Sequence, residues 1–296
     1  MPGFTTLVDG LSFAECPRWR NGRLYVSDRY TRRILAISAN GGGETYARTP
    51  GLPAGIGFLP DGRLLIASMR ERKVLRRERD GSIVEHVDLA TLVPGELNDM
   101  LVDHEGRAWV GNFGFDLFGG APASATVLIS VAPDGTAAIA AHDLAFPNGA
   151  VLTQDGRTLI IAETMANRLT SFTVSNGVLT NRRIWAAFGN PPATTDVARI
   201  MDEADVVPDG ICADAEGAVW VADVMKQRLV RVAEGGAILD ELNTNGLCAF
   251  ACMLGGDDGR TLFACVAPTL NHTEAARHHR SAILFTRVAV PHAGLP

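Results

Sequence analysis

Four oxygen-bearing side chains recur at nearly the same offset in a repeated sequence pattern. Counted back from the next turn glycine, Glu15 lies seven residues upstream, and Asn98, Asn148 and Asp209 lie eight residues upstream. Two carboxylates and two amides that meet in one place repel one another or stay poorly paired unless a cation lies among them. Oxygen ligands of this kind suit Ca²⁺, Mg²⁺ or Mn²⁺, with water completing the shell. Zn²⁺ is less expected, because no His or Cys occupies these offsets.

The turn glycines belong to a phrase that occurs six times, a turn dipeptide ending in Gly followed by an apolar run. The dipeptides are Asn21-Gly22, Asp61-Gly62, Glu105-Gly106, Asp155-Gly156, Glu216-Gly217 and Asp258-Gly259. Asn-Gly and Asp-Gly favour positive φ and close β-hairpins. A hairpin repeat of roughly 40–50 residues predicts an all-β fold, a six-bladed β-propeller with a central metal-binding channel. Equivalent positions of all blades face that channel, so the four side chains are expected to meet there.

A simpler interpretation treats the Asn148-Gly149 and Asp209-Gly210 pairs as further turns. Each pair is followed by an apolar run, however, and only then by the hairpin turn. The polar residue therefore opens an inner strand. The one-residue difference at Glu15 predicts a shorter hairpin in the first blade.

Composition predicts one domain over residues 1–296, since no linker or low-complexity run interrupts the chain. The net charge of −6 argues against nucleic acid as a partner. No apolar stretch reaches the length of a membrane span, no secretory signal opens the chain, and no protein partner is indicated. The five cysteines include no CxxC pair, which favours buried, reduced thiols in a cytoplasmic protein. Cys16 is expected to pack between blades, on the face opposite Glu15.

The chain resembles the senescence marker protein/gluconolactonase (regucalcin-like) family of six-bladed propellers. The matching phrases are FAECPRWRNGRLYVSD, LNDMLVDHEGRAWVGN, FPNGAVLTQDGRTLIIAET and PDGICADAEGAVWVAD. The resemblance implies that Glu15, Asn148 and Asp209 bind one divalent cation, with Ca²⁺ first and Mg²⁺, Mn²⁺ or Zn²⁺ as alternatives. It also implies that Asn98 touches the substrate or a metal-bound water, and that Asp209 is the general base of lactone hydrolysis.

Two features depart from the family pattern and concern the substrate. Many sugar-lactone members carry Arg two residues before the asparagine of the second motif, where this chain has Glu96. A Glu there removes donors for polyols and anions and adds negative charge. The segment GNFGFDLF is rich in aromatic residues, and Phe113, Phe115 and Phe118 are expected either to line the mouth or to cap the blade's core. Glu96 and Phe113 are thus candidate substrate-binding residues, and a neutral, less hydroxylated lactone is the expected substrate.

Three segments outside the repeats carry further expectations. Residues 187–206 are either a lid over the channel or a solvated loop, with a short helix from Thr195 to Ala204. The segment PTLNHTEAARHHR holds His272, His278 and His279, which are expected in an exposed loop rather than at a second metal. Residues Phe4 to Val8 should pair with strands near Ala282 to Val290 and close the ring.

Three functional hypotheses follow. The first is a metal-dependent lactonase, a carboxylic-ester hydrolase that opens a cyclic ester to a hydroxy acid. The second is a strictosidine synthase- or paraoxonase-like propeller enzyme, or an aryl or organophosphate esterase. The third is a non-enzymatic Ca²⁺-binding or ligand-sensing propeller.

Overall fold

Twenty-four antiparallel β-strands form six four-stranded sheets in the computed structural model, which describes residues 3–294. The six-bladed propeller predicted from the sequence is thus confirmed. The predicted domain boundaries, 1 and 296, lie outside the described residues.

The first three blades follow the opening strand of the chain, β1 (Thr5–Leu11). The strands of these blades are β2 (Ala14–Arg20), β3 (Arg23–Asp28), β4 (Arg33–Ser38), β5 (Gly43–Arg48), β6 (Pro53–Phe58), β7 (Leu64–Ser68), β8 (Lys73–Arg77), β9 (Ile83–Asp88), β10 (Leu97–Val102), β11 (Ala108–Asn112), β12 (Thr126–Val131) and β13 (Ala137–Leu144).

The last three blades contain the remaining strands and two short helices. These are β14 (Pro147–Leu152), β15 (Thr158–Glu163), β16 (Arg168–Ser175), β17 (Val178–Ala187), α1 (Val197–Glu203), β18 (Pro208–Ala213), β19 (Val219–Asp223), β20 (Arg228–Val232), β21 (Ile238–Asn243), β22 (Cys248–Gly255), β23 (Thr261–Ala267), α2 (His272–His278) and β24 (Ser281–Arg287).

Each blade is a meander whose first strand is innermost. The inner strands β2, β6, β10, β14, β18 and β22 pack side by side around the axis. The sixth blade has the order β1-β24-β23-β22, and Thr5 of β1 lies opposite Phe285 of β24. The predicted closure by the N-terminal segment is therefore confirmed.

The repeated glycine phrase forms the hairpin between the first and second strands of each blade. In the first blade Arg20 pairs with Arg23, so only Asn21 and Gly22 form the turn, both with positive φ. In the fifth blade Ala213 pairs with Val219, which leaves a longer loop. The shorter first hairpin predicted from the offset of Glu15 is thus confirmed.

The hydrophobic core is divided among the spaces between neighbouring blades. Cys16, for example, packs with Tyr25 of the first blade and Ile56 and Ile66 of the second, as predicted. All five cysteines are buried and free. No helix among residues 3–294 is long and apolar enough to cross a membrane.

The two helices lie in connections at the same end of the propeller. The predicted helix over Thr195 to Ala204 is α1, capped by Asp196, whose carboxylate accepts from the backbone N–H of Arg199 at 3.0 Å. The exposed loop expected around His272 is instead α2, capped by Asn271. Asn is a preferred N-cap residue because its side-chain oxygen can accept from the free backbone N–H groups of the first helical turn. The sequence interpretation overlooked this signal.

Candidate active site

The structure brings the four predicted oxygen-bearing residues together at one cavity on the propeller axis. Each is the second residue of an inner strand: Glu15 in β2, Asn98 in β10, Asn148 in β14 and Asp209 in β18. All four are buried, and all four line the same cavity. The offset in the sequence therefore identified one ring of side chains in space.

A β-bulge at the start of the inner strand directs these side chains to the axis. In the fourth blade Pro147 pairs with Glu163 and Ala150 pairs with Ile161, so Asn148 and Gly149 together face one residue of β15. The fifth blade has the same irregularity after Pro208. Bulges of this kind re-aim side chains and are frequent next to active sites.

The glycines after Asn148 and Asp209 allow neighbouring inner strands to approach. A Cβ on Gly149 would lie 2.6 Å from the carbonyl oxygen of Asp209, and a Cβ on Gly210 would lie 2.6 Å from Cα of Ala251. The turn interpretation of these Asx-Gly pairs is therefore wrong: the residues are in strands, and glycine is required by close packing rather than by positive φ.

A second repeated feature anchors the chain just before Glu15, Asn148 and Asp209. The last residue of the second strand is a buried carboxylate that pairs with an Arg five residues later. These pairs are Asp28–Arg33, Glu163–Arg168 and Asp223–Arg228, each at 2.9 Å. The same carboxylates accept backbone N–H groups from Phe13, Ala145 and Val207 at 3.2, 2.8 and 3.1 Å. The approach to Glu15, Asn148 and Asp209 is thus fixed by charge-assisted hydrogen bonds.

Asn148 and Asp209 are hydrogen-bonded neighbours in the cavity. The Asn148 amide nitrogen also donates to the Thr164 hydroxyl at 3.1 Å, and that hydroxyl donates to the carbonyl oxygen of Pro208 at 2.8 Å. Because the amide nitrogen makes these contacts, Oδ1 of Asn148 remains available as an acceptor or ligand.

The electrostatic balance of the site is negative. Burial raises the pKa of Glu15, with the nearby Arg29 guanidinium opposing the rise. Burial also raises the pKa of Asp209, and repulsion from Glu15 raises it further. Arg29 Nη2 lies 3.2 Å from Oε1 of Glu15, which leaves Oε2 for another partner. A second buried pair, Arg18–Asp99 at 3.3 Å, lies beside this ring.

The donor chemistry of this ring fits a hard divalent cation. Two buried carboxylates, with one arginine nearby, retain negative charge that a cation would offset. The amide nitrogen of Asn98 is buried without a hydrogen-bond partner in the described part of the chain, so Asn98 has unused capacity toward a ligand. Residues 3–294 contain no group of three His, Cys, Asp or Glu side chains that could hold a metal, and the fit rests on carboxylate and amide oxygens together.

The walls of the cavity are apolar. The side chains that line it beside the polar ring are Phe13, Phe113, Leu117, Phe146, Met165, Met201, Val224, Phe250 and Leu270. The rings of Phe113 and Phe146 stack at 4.7 Å, and those of Phe13 and Phe250 lie 4.6 Å apart. Met201 comes from α1, so the segment expected to be either a lid or a solvated loop contributes one wall residue.

Arg29, Thr164 and Val224 are lining residues that sequence reasoning missed, although a signal for them exists. Each directly follows the last residue of its blade's second strand, and Phe113 holds the same position in the third blade. The offset count used for the inner strands would have found this second ring. His272 was also missed: it lines the cavity, whereas His278 and His279 are exposed as expected.

Glu96 does not line the central cavity. It lies in a neighbouring surface groove with Phe115 and Phe118, where its Oε1 is 3.5 Å from Nε of Arg70. Glu96 precedes β10, so its side chain does not join the inward-facing side chains of the inner strands. Phe113 borders both the groove and the cavity, Phe115 is buried beside it, and Phe118 is exposed at the mouth.

Comparison with solved structures places the chain among six-bladed propeller proteins. Its fold matches a calcium-binding regucalcin from Agrobacterium tumefaciens with a TM-score of 0.79 and 20% identity, covering 100% of this chain and 96% of that one. It also matches a gluconolactonase from Xanthomonas campestris with a TM-score of 0.72 and 22% identity, covering 99% and 89%.

Sequence comparison identifies the family. The family model described as SMP-30/Gluconolactonase/LRE-like region matches residues 13–267, and the chain belongs to this family. A pentonolactonase of Haloferax volcanii is 25% identical over 263 residues, covering 80% of this chain and 83% of the relative. A 6-deoxy-6-sulfogluconolactonase of Pseudomonas putida is 24% identical over 285 residues, covering 94% and 91%.

Proposed function

We propose that this protein is a divalent-metal-dependent lactonase that opens a cyclic ester to a hydroxy acid. The observation that carries the proposal is the convergence of Glu15, Asn98, Asn148 and Asp209 on one buried axial cavity. Relatives named as lactonases support the reaction class. The regucalcin match, whose description calls it calcium-binding, supports Ca²⁺ as the first metal to test.

Glu15, Asn148 and Asp209 would hold the cation through Oε2, Oδ1 and a carboxylate oxygen. When bound, the cation supplies Lewis-acid polarisation of the ester carbonyl. Arg29 keeps Glu15 oriented through its contact with Oε1, and Thr164 keeps the Asn148 amide turned so that its oxygen faces the cavity. Asn98 offers its free amide to the substrate or to a water.

Asp209 is the general base in this proposal. Its carboxylate takes a proton from water as the water oxygen bonds to the carbonyl carbon. The ring C–O bond then breaks, and the proton passes from Asp209 to the departing alkoxide oxygen, which leaves a hydroxy acid. Arg29 favours the ionised form of Asp209 that this step requires.

The Asp209→Asn variant tests this role. The amide retains an oxygen for the cation but cannot take a proton, so metal content should be kept while kcat falls by about 10²–10⁴-fold. The exposed Asp257 is a matched site, and Asp257→Asn should leave both unchanged. Near-normal turnover in Asp209→Asn contradicts the general-base role.

The substrate class follows from the walls rather than from Glu96. The cavity is lined by Phe13, Phe113, Phe146 and Phe250. An apolar substrate gains binding free energy when its surface is buried against these rings, whereas a polyol finds few hydrogen-bond partners there. We therefore expect higher kcat/KM for δ-decalactone or dihydrocoumarin than for gluconolactone. Glu96→Arg, outside the cavity, should leave this order unchanged. Faster turnover of gluconolactone contradicts the assignment.

An aryl esterase activity is the second candidate, because the same apolar walls suit an aromatic ester. Phenyl acetate in the same panel separates the two: a preference for it over every lactone favours the esterase. Metal binding with no turnover of any ester favours a non-enzymatic calcium-binding propeller.

A further inference from the structure

Tyr30 and His272 form a polar pair beside Arg29 that the metal and general-base roles do not use. Arg29 and Tyr30 lie in the connection between β3 and β4, and His272 is the first residue of α2. Nδ1 of His272 lies 2.6 Å from the Tyr30 hydroxyl oxygen. Arg29 and His272 both line the cavity that holds Glu15 and Asp209.

Aromatic packing fixes the His272 ring. Its centroid lies 5.4 Å from that of Phe13 and 4.6 Å from that of Phe118, and the Phe118 ring meets it edge-on at 85°. Burial and the nearby Arg29 charge lower the pKa of His272 to about 3. The imidazole is therefore neutral at ordinary working pH, with one protonated and one unprotonated nitrogen.

The surroundings of the Tyr30 hydroxyl decide which nitrogen of His272 carries the proton. The nearby Arg29 guanidinium has no acceptor atom, whereas Nδ1 of His272 can accept the Tyr30 proton. If His272 donated to the Tyr30 oxygen instead, the O–H of Tyr30 would be left without this acceptor in a partly buried place. Donation from Tyr30 to Nδ1 satisfies both groups. The proton of His272 then lies on Nε2, the nitrogen left for a ligand.

We propose that the Nε2–H group of His272 is a substrate-binding donor, aimed at an acceptor oxygen of the bound ester or hydroxy acid. Tyr30 is the positioning residue that holds this tautomer. The inference rests on the proposed lactonase function, for which it adds one directional contact to an otherwise apolar wall. In such a cavity one placed donor orients the substrate and discriminates among esters.

The tautomer is measured first, by NMR of the protein labelled with ¹⁵N-histidine, without ligand and then with the ring-opened hydroxy acid of δ-decalactone. We expect His272 to be protonated on Nε2, and the ligand to move the Nε2 signal of His272 but not that of the exposed His278. Protonation on Nδ1, or no response to a ligand that binds, overturns the proposal. This readout needs no turnover.

Kinetics of three variants supply the second test. His272→Phe keeps an aromatic ring but loses the donor, so KM for δ-decalactone should rise about 3–10-fold with kcat little changed. His272→Gln keeps a donor and should recover most of that loss, while Tyr30→Phe should raise KM by a smaller factor. His278→Gln is the control. An unchanged KM in His272→Phe overturns the proposal, whereas failure of the lactonase function would appear as no turnover by the unaltered protein.

Discussion

The partly buried imidazole of His272 makes a quantitative prediction about stability in acid. Its pKa is about 3 in the folded protein, against an ordinary value of 6.5. As the pH falls through 6.5 the unfolded chain takes up a proton that the folded protein accepts only near 3. The contribution of neutral His272 to the free energy of unfolding is therefore complete above pH 6.5 and declines as pH falls toward 3. Between about pH 7 and about pH 5 the loss amounts to about 2 kcal/mol, at 1.36 kcal/mol for each pH unit.

His272→Phe removes this proton-linked loss while it keeps a ring between Phe13 and Phe118. The assay is the free energy of unfolding from denaturant titrations at the two pH values. Other carboxylates and histidines contribute equally to both proteins, so the difference between their pH dependences isolates His272. The unaltered protein should lose about 2 kcal/mol more than the variant on acidification. His278→Phe, at an exposed position of the same helix, should behave like the unaltered protein. Equal losses in His272→Phe and the unaltered protein would refute the argument that burial keeps His272 neutral.

Three further predictions concern the scaffold of the site. Gly210→Ala should destabilise the protein by about 1–3 kcal/mol and lower kcat/KM, because the new Cβ meets Ala251 at 2.6 Å and pushes β18 from β22; unchanged unfolding and kinetics contradict the close-packing argument. Deleting residues 1–8 removes half of β1 and should lower the melting temperature sharply; a truncated protein that melts like the full chain rules out closure by β1. Glu163→Gln removes the carboxylate that pairs with Arg168 and should cost about 1–3 kcal/mol in denaturant unfolding; a loss below about 1 kcal/mol contradicts the anchoring role.

The architecture could be predicted because it depends on local sequence signals that repeat along the chain. Turn glycines such as Gly22 set hairpins through their own backbone conformation, and six copies at a regular period define the blades. The ring of Glu15, Asn98, Asn148 and Asp209 followed from one sequence offset, since a propeller converts equivalent offsets into proximity. Arg29 and Thr164 obey a second offset and were also within reach of the sequence.

What escaped prediction depends on contacts between distant parts of the chain. His272 reaches the cavity because α2 packs against Phe13 and Tyr30, more than 240 residues away in sequence, and no repeat encodes that contact. The prediction that Glu96 binds substrate in the cavity was wrong for a different reason. Glu96 is two residues from Asn98, but it precedes the strand, and its pairing with Arg70 instead of the axis is set by a neighbouring connection.

The central claim is that Glu15, Asn148 and Asp209 hold one cation that the hydrolysis requires. The most direct measurement is metal binding by equilibrium dialysis with Ca²⁺ on chelator-treated protein, with δ-decalactone hydrolysis measured on the same samples. One cation should bind per chain, and hydrolysis should return in proportion to occupancy. Glu15→Gln should weaken binding and turnover together, while the exposed Asp257→Asn should change neither. Full hydrolysis by the chelator-treated protein, or one tightly bound cation in Glu15→Gln at unchanged affinity, would contradict the account.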